Sequence, residues 1–357
     1  MKNEKSVSRR NFIRRTSAGI GAGIVVAAIP SCNKSGEDEK RKLPREITVT
    51  GIDLRGLWPD TTRESRIKRI LQRMDLVAGL KPDLVCLPEL FDTMWVAEQY
   101  KISEVAESEE TPGPVAGRIG EFAKKNNCYV VCPVYTKKGG NFYNTSLLIN
   151  RNGVIAGAYN KIHPVKSEIL PSGPTDDVGI TPGGLDQPAI ETDFGKVGMQ
   201  ICYDANWVDG WENCRNKGAE IVLFPSAFPG GRILNHYAER FGYYIVSSTG
   251  QDSRIVDMSG NDIDSSSTFV RYSWARINLE KVNTCTWPTN DKIPEIFKKY
   301  GSKLEIKVRD NTSIITIASL DPGIKVMDVV REFDLQTVDE NIKTSEEAQV
   351  KYRLKID

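Results

Sequence analysis

Val197-Gly198-Met199-Gln200-Ile201-Cys202-Tyr203-Asp204 carries a cysteine at the close of an apolar run, with polar residues directly after it. Such a run reads as a buried strand whose last side chain is delivered into a loop. The arrangement occurs twice upstream. Leu84-Val85-Cys86-Leu87-Pro88-Glu89 ends in a carboxylate, and Tyr159-Asn160-Lys161-Ile162-His163 delivers a lysine. Strand ends are where α/β folds place their sites, because the strand is rigid and the following loop can open a pocket.

Outward from these segments, short β-prone runs alternate with amphipathic stretches. Strands are predicted over residues 47–53, 83–87, 129–135, 197–202, 221–224, 243–248 and 255–258. A hairpin is predicted from 145–150 to 154–159 around Asn152-Gly153. Helical spacing runs through Ile67, Ile70, Leu71 and Met74 within residues 63–78, and helices are predicted at 114–127, 208–217 and 234–241. Alternating elements with inserted hairpins specify an α/β fold with mixed sheets covered by helices. One catalytic domain is expected over residues 47–321. Residues 322–357 read as an extended, charged C-terminal extension packing on that domain or on a partner subunit.

The N-terminus reads as an address. Arg9-Arg10, then Arg14 and Arg15, precede a short Gly/Ala-rich apolar stretch, which is the secretory pattern in its twin-arginine form. Ile29-Pro30-Ser31-Cys32 resembles a bacterial lipobox, making Cys32 the candidate lipidated residue. Residues 1–31 are thus expected to be a signal segment and 32–46 a polar tether, on a protein exported to the periplasm or cell envelope. Failing lipidation, the same segment is a simple cleaved signal.

Composition narrows the chemistry. Lys plus Arg total 48 against 47 for Asp plus Glu, a net charge of +1, which gives no electrostatic case for a nucleic-acid partner. With only His163 and His236 in 357 residues, multi-histidine zinc sites are excluded and a histidine-based hydrolase has two candidates. None of the seven cysteines forms a C-x-x-C pair, and Cys86, Cys128 and Cys132 read as small buried hydrophobes. No clustered acidic ligands and no phosphate loop occur, so neither a metal nor an organic cofactor is implied.

Taken singly, Glu89 is a strand-end charge, Lys161 a surface lysine and Cys202 a structural thiol. Their joint occurrence decides otherwise. In this order, with Pro88 before the glutamate, Asn144-Thr145-Ser146 before the hairpin, Pro182-Gly183 ahead of the cysteine strand and Phe224-Pro225-Ser226-Ala227 after it, they resemble the Glu-Lys-Cys triad of the nitrilase (carbon–nitrogen hydrolase) superfamily. That resemblance implies a four-layer α-β-β-α sandwich with two mixed β-sheets, usually paired into a homodimer. It also implies a second glutamate, Glu168, supporting the lysine or the substrate.

The chemistry is coherent in its own right. Cys202 attacks an amide-type carbon, Glu89 takes its proton and later delivers a proton to the leaving nitrogen, and Lys161 with the Tyr203 backbone N–H stabilises the oxyanion. The lysine cation is also expected to favour the thiolate. Trp207 and Phe228 are candidate pocket walls for a small-molecule amide-type substrate, and loop 169–184 is expected to frame the entrance. The residues around Cys202 resemble amidase and N-carbamoyl-hydrolase branches, which favours those bonds over nitriles. Alternatives are nitrile hydrolysis, a silent envelope-anchored binding paralogue, and a Cys-His hydrolase. A membrane acyltransferase is set aside because no apolar stretch of ~18 residues follows residue 45.

Overall fold

The computed structural model describes residues 43, 45–57, 61–170 and 177–354. The expected signal segment 1–31, Cys32 and nearly all of the expected tether 32–46 lie outside them, as does part of loop 169–184. The first sheet consists of β1 (Glu46–Ile52), β2 (Leu84–Cys86), β3 (Glu107–Ser108), β4 (Tyr129–Lys138), β5 (Asn141–Ile149), β6 (Ile155–Asn160) and β13 (Tyr272–Asn278), in the order β13-β1-β2-β4-β5-β6 with β3 on β4. The second sheet is β12 (Asp262–Ser265), β11 (Arg254–Val256), β10 (Tyr244–Ser248), β9 (Ile221–Pro225), β8 (Lys196–Met199) and β7 (Ile190–Glu191).

Burial makes the layering explicit. Along β2, Leu84 and Cys86 point into a core shared with Val197, Met199, Leu223 and Val246 of the second sheet. Val85 points the opposite way, against Ile67, Ile70 and Met74 of α1 (Arg63–Ala78) and Ile119 of α3 (Pro114–Asn126); α2 (Ile102–Val105) lies between them in sequence. This two-residue alternation is the strand period itself. A third apolar layer places Trp211 and Cys214 of α5 (Asp209–Asn216) and Leu234, Tyr237 and Phe241 of α6 (Arg232–Phe241) on the outer face of β9 and β10. The four-layer α-β-β-α sandwich with two mixed sheets follows directly.

Three sequence expectations change. The strand predicted to reach Cys202 stops at Met199, and Cys202 opens a 3-10 turn, Cys202–Asn206. Residues 45 and 46, placed with the tether, belong to the fold: Glu46 begins β1, and the Arg45 guanidinium pairs with both Glu220 oxygens at 2.8 Å. Residues 322–354 are not an extended tail. They form α8 (Val326–Glu332) and α9 (Val338–Arg353), after α7 (Thr286–Tyr300) and a separate sheet of β14 (Lys281–Cys285), β16 (Ile314–Ser319) and β15 (Leu304–Arg309). Ile296, Ile315, Ile317, Val326, Val329 and Val330 share one apolar core, so a boundary at residue 321 would cut through it. The Thr337–Glu340 capping box, with bonds of 3.2 and 3.0 Å, starts α9, whose largely polar surface concealed it. Among the described residues no helix is long and apolar enough to cross a membrane.

Candidate active site

Strand directions bring the reactive groups to one end of the sandwich. β4 runs parallel to β2, β5 antiparallel to β4 and β6 antiparallel to β5, so β2 and β6 point the same way. Glu89 follows the end of β2 and Lys161 the end of β6. Cys202 follows β8 in the facing sheet, and Ser226-Ala227 follow β9, which is parallel to β8.

Each side chain is pinned by its neighbours. The Leu87 N–H donates to the Val131 carbonyl at 3.2 Å, extending sheet pairing past β2 toward Glu89, and the Lys161 N–H donates to the Asn144 carbonyl at 2.9 Å. Glu89 and Lys161 are each 2 % exposed. The Lys161 ammonium lies 2.9 Å from Glu89 Oε1 and 2.9 and 3.1 Å from the Glu168 oxygens. Glu168, on α4 (Lys166–Ile169), is itself fixed by the Val165 N–H at 2.7 Å. Asn144 Nδ2 bridges both carboxylates, 2.9 Å to Glu89 and 3.1 Å to Glu168, and the Ala227 N–H donates to Glu89 Oε2 at 2.9 Å. One buried cation thus balances two carboxylates whose remaining lone pairs meet N–H donors, the condition under which buried charge is tolerated. Burial alone would lower the affinity of Lys161 for its proton; Glu89 and Glu168 outweigh it and hold the ammonium well above its ordinary range.

Cys202 behaves differently from the sequence expectation. Burial, then the Glu89 charge, push its thiol up to about 12, and the opposing pull of Lys161 and the hydrogen bonds from Ser226 and Ala227 do not compensate. The resting sulfur is therefore a thiol, because desolvation and a like charge outweigh one shared cation. Its backbone has φ of +48°, the left-handed region that non-glycine residues occupy at a cost of about 1–3 kcal/mol.

Asp204 holds that turn. Fully buried, its carboxylate accepts the Ile201 N–H at 2.8 Å, the Tyr159 hydroxyl at 2.8 Å and the His163 N–H at 2.7 Å, with His163 Nδ1 at 3.2 Å. It ties the chain on both sides of Lys161 to the residue before Cys202. The same bond raises the His163 imidazole above its ordinary value. His163 stacks on Trp207 with ring centres 4.3 Å apart, as a hydrogen-bonded structural histidine would.

Beside Ala227 opens a cavity of about 430 Å³ whose walls include Leu54, Trp95, Phe228 and Pro229. Phe228 therefore does line a cavity next to Glu89, whereas Trp207 is a partner of His163 and of Tyr203, whose ring centre is 5.2 Å away. Glu89, Lys161, Glu168 and Cys202 converge. Asn144, Asp204 and the Ala227 N–H were not read as site groups. Asn144, a buried amide at the start of the polar Asn144-Thr145-Ser146 run in β5, and Asp204, two residues past the cysteine, were visible signals; a backbone N–H leaves none. Among the described residues no cluster of three or more histidine, cysteine or acidic side chains could hold a metal ion.

A double-sheet sandwich with thiol, ammonium and carboxylates gathered at one end is the layout of a nitrilase-type hydrolase. The chain belongs to the carbon–nitrogen hydrolase family, whose model matches residues 52–285. It is 28% identical over 184 residues to the deaminated glutathione amidase of Dictyostelium discoideum, covering 50% of this chain and 63% of that protein, so it spans less than two thirds of that relative's length. In fold it is similar to a branch 10 member of the nitrilase superfamily from Saccharomyces cerevisiae, with a TM-score of 0.54 and 19% identity over 66% of this chain and 90% of that one. It is also similar to a glutamate-to-glutamine mutant of the amidase from Nesterenkonia sp. AN1, which shows covalent addition of the acetamide moiety of fluoroacetamide at the active-site cysteine (TM-score 0.53, 16% identity, 73% and 98% of the two chains).

Proposed function

We propose that the protein hydrolyses a non-peptide carbon–nitrogen bond, in an amide or N-carbamoyl compound, through a thioester on Cys202. The observation that carries this reading is the Lys161 ammonium, 2.9 Å from both Glu89 and Glu168 and electrostatically coupled to Cys202. Such a group is fixed, dry and permanently positive where an oxyanion would form. A preorganised donor of this kind contributes about 10²–10³ in rate.

The steps balance as follows. Glu89 removes the thiol proton as sulfur bonds to the carbonyl carbon, and the oxygen becomes an oxyanion against Lys161 and the Tyr203 N–H. Tyr203 is second in the 3-10 turn, where a backbone N–H has no acceptor within the turn. The protonated Glu89 passes its proton to nitrogen, the carbon–nitrogen bond breaks, and ammonia or an amine departs. Water then adds to the thioester with Glu89 as base, and collapse releases the acid while sulfur regains its proton. Because burial and the Glu89 charge keep the resting thiol protonated, attack needs a positioned base to take that proton. Similarity to an amidase, and to an amidase modified at its cysteine, supports this reading.

The proposal includes an address and an assembly. Arg9-Arg10 and Cys32 support export with a lipid anchor, and the family resemblance supports a homodimer. The deciding experiment screens purified protein for ammonia release from amides, carbamoyl compounds and nitriles beside Cys202→Ala. Release that persists in the alanine variant, or no release from any member, refutes the reading; release from nitriles alone corrects the bond class.

A further inference from the structure

Behind Lys161, on the other face of the first sheet, a polar group is set into an apolar layer. Ala158 of β6 packs with Val134, Leu147 and Ile149 on the helix side of the sheet, whereas Tyr159 faces the second sheet. The strand period therefore sends Asn160 to the helix side and Lys161 to the inner side, where its ammonium meets Glu89 and Glu168. On the helix side Asn160 Nδ2 donates to Glu109 Oε1 at 3.0 Å, and the Thr145 hydroxyl donates to Asn160 Oδ1 at 2.6 Å. The Thr136 hydroxyl stands 2.5 Å from that of Thr145 and 3.3 Å from Glu109 Oε1.

Glu109 is the member that packing does not explain. It follows β3, which pairs with β4, and is 7 % exposed. Its cationic partner, Lys138 at 3.1 Å, is itself largely exposed, and such a pair adds little stability. Taking a carboxylate out of water is costly, and an apolar side chain of similar volume is often as stable in such a place or more so. What the carboxylate supplies is a direction. It offers only acceptors, so the Asn160 amide must turn its N–H toward Glu109 and its oxygen toward the Thr145 hydroxyl. The backbone is seated to match. The Asn160 N–H donates to Gln187 Oε1 at 3.3 Å, and the Asn160 carbonyl lies 2.2 Å from where a Cβ on Gly183 would stand. The Gly183 N–H in turn donates to the Lys161 carbonyl at 2.8 Å.

Resting on the hydrolase reading, we propose that Glu109 is a positioning residue of the reaction: through the Asn160 side chain it fixes the point at which β6 delivers the Lys161 ammonium to the oxyanion. The sheet separates Glu109 from the reacting carbon, so its influence passes through the placement of one cation. That placement is exacting, because an error of about 1 Å in a catalytic group can cost about 10²-fold in rate. Thr145 is the second arm of the clamp, since it holds the oxygen of the same amide.

The test uses the full-length protein. Glu109→Leu and Thr145→Val each remove one bond to the Asn160 amide, Glu109→Gln keeps an acceptor oxygen, and Val134→Ala loosens the same face of the sheet without touching the clamp. Glu109→Leu is expected to lower kcat about 10–10²-fold with KM changed less than about threefold, and Thr145→Val to do the same in smaller measure. Glu109→Gln is expected to recover most of the loss. A second readout is independent of turnover. Lys161 lowers the Cys202 thiol, so displacing the ammonium raises it; for a rise of ~1 unit, iodoacetamide labels Cys202 about threefold more slowly at pH 8 once the gain in nucleophilicity is counted. Full kcat in Glu109→Leu, or a Glu109→Gln as impaired as Glu109→Leu, overturns the proposal. So does a Val134→Ala that reproduces both effects at an equal drop in Tm, since the role would then be structural. Should Glu109→Leu fail to fold, Thr145→Val decides by the same two readouts. If no compound releases nitrogen even with the wild type, the hydrolase reading falls, and labelling alone judges the clamp: slower in Glu109→Leu than in Val134→Ala upholds it, equal rates overturn it.

Discussion

Replacing Glu89 by glutamine should move two properties of Cys202 in opposite directions. Glu89 raises the thiol as the second-largest cause after burial, while Lys161 lowers it. The amide side chain keeps the size of Glu89 but loses its charge, so burial still raises the thiol while, of the two neighbouring charges, only Lys161 is left to lower it. A nearby charge shifts such a group by about 1–3 units. For a fall of ~2 units the thiolate fraction at neutral pH rises about 100-fold, and the drop in nucleophilicity with pKa (slope about 0.4–0.5) takes back a factor of ~6–10. The net expectation is a roughly tenfold faster alkylation of Cys202 by iodoacetamide at pH 7, followed by mass spectrometry. Turnover should fall about 10²–10⁴-fold, because the proton acceptor is gone. The full pH dependence of alkylation should show a titration that starts near 12 in the wild type and moves down in the variant. Slower or unchanged alkylation in Glu89→Gln, with the protein folded, would refute the claim that the base's charge suppresses the thiolate.

Asp204→Asn puts an amide where four N–H and O–H contacts converge on a buried carboxylate, and is expected to cost about 3–5 kcal/mol in denaturant unfolding and to depress kcat as the Cys202 turn loosens. Gly250→Ala sets a methyl 2.5 Å from the Ala227 carbonyl; displacing that peptide unsettles the N–H that holds Glu89, so kcat should drop by at least about tenfold in steady-state assays with little change in circular dichroism. Because the folded thiol titrates near 12 against an ordinary 9.0, its stabilising contribution is intact below pH 9 and fades as pH climbs toward 12, by at most about 1.4 kcal/mol per unit. Cys202→Ala lacks this contribution, so its Tm should fall less steeply than that of the wild type across the same range.

The sandwich was readable because its strands are short, apolar and bounded by turn residues: the helix at 63–78 and the hairpin over Asn152-Gly153 lie where periodicity put them. The convergence of Glu89, Lys161 and Cys202 was also readable, since each residue closes an apolar run. The sign of the electrostatics was not. Sequence shows that a lysine is near the cysteine, but the balance between burial, Glu89 and Lys161 depends on how dry the pocket is. Residues 262–321 escaped prediction for another reason: β12 and β15 carry charged or exposed positions that blur the alternation, and β13 takes its place from pairing with β1, more than 200 positions earlier in the chain.

That pairing of β1 with β13 fixes a schedule for biosynthesis. Val49 is opposite Ala275, so β1, the first strand of the described residues, has one flank bare until the chain has grown more than 200 residues further. β1 is also the strand that carries β2, and through it the approach to Glu89. A nascent chain stalled anywhere before that point would display an open, apolar sheet margin able to recruit another strand.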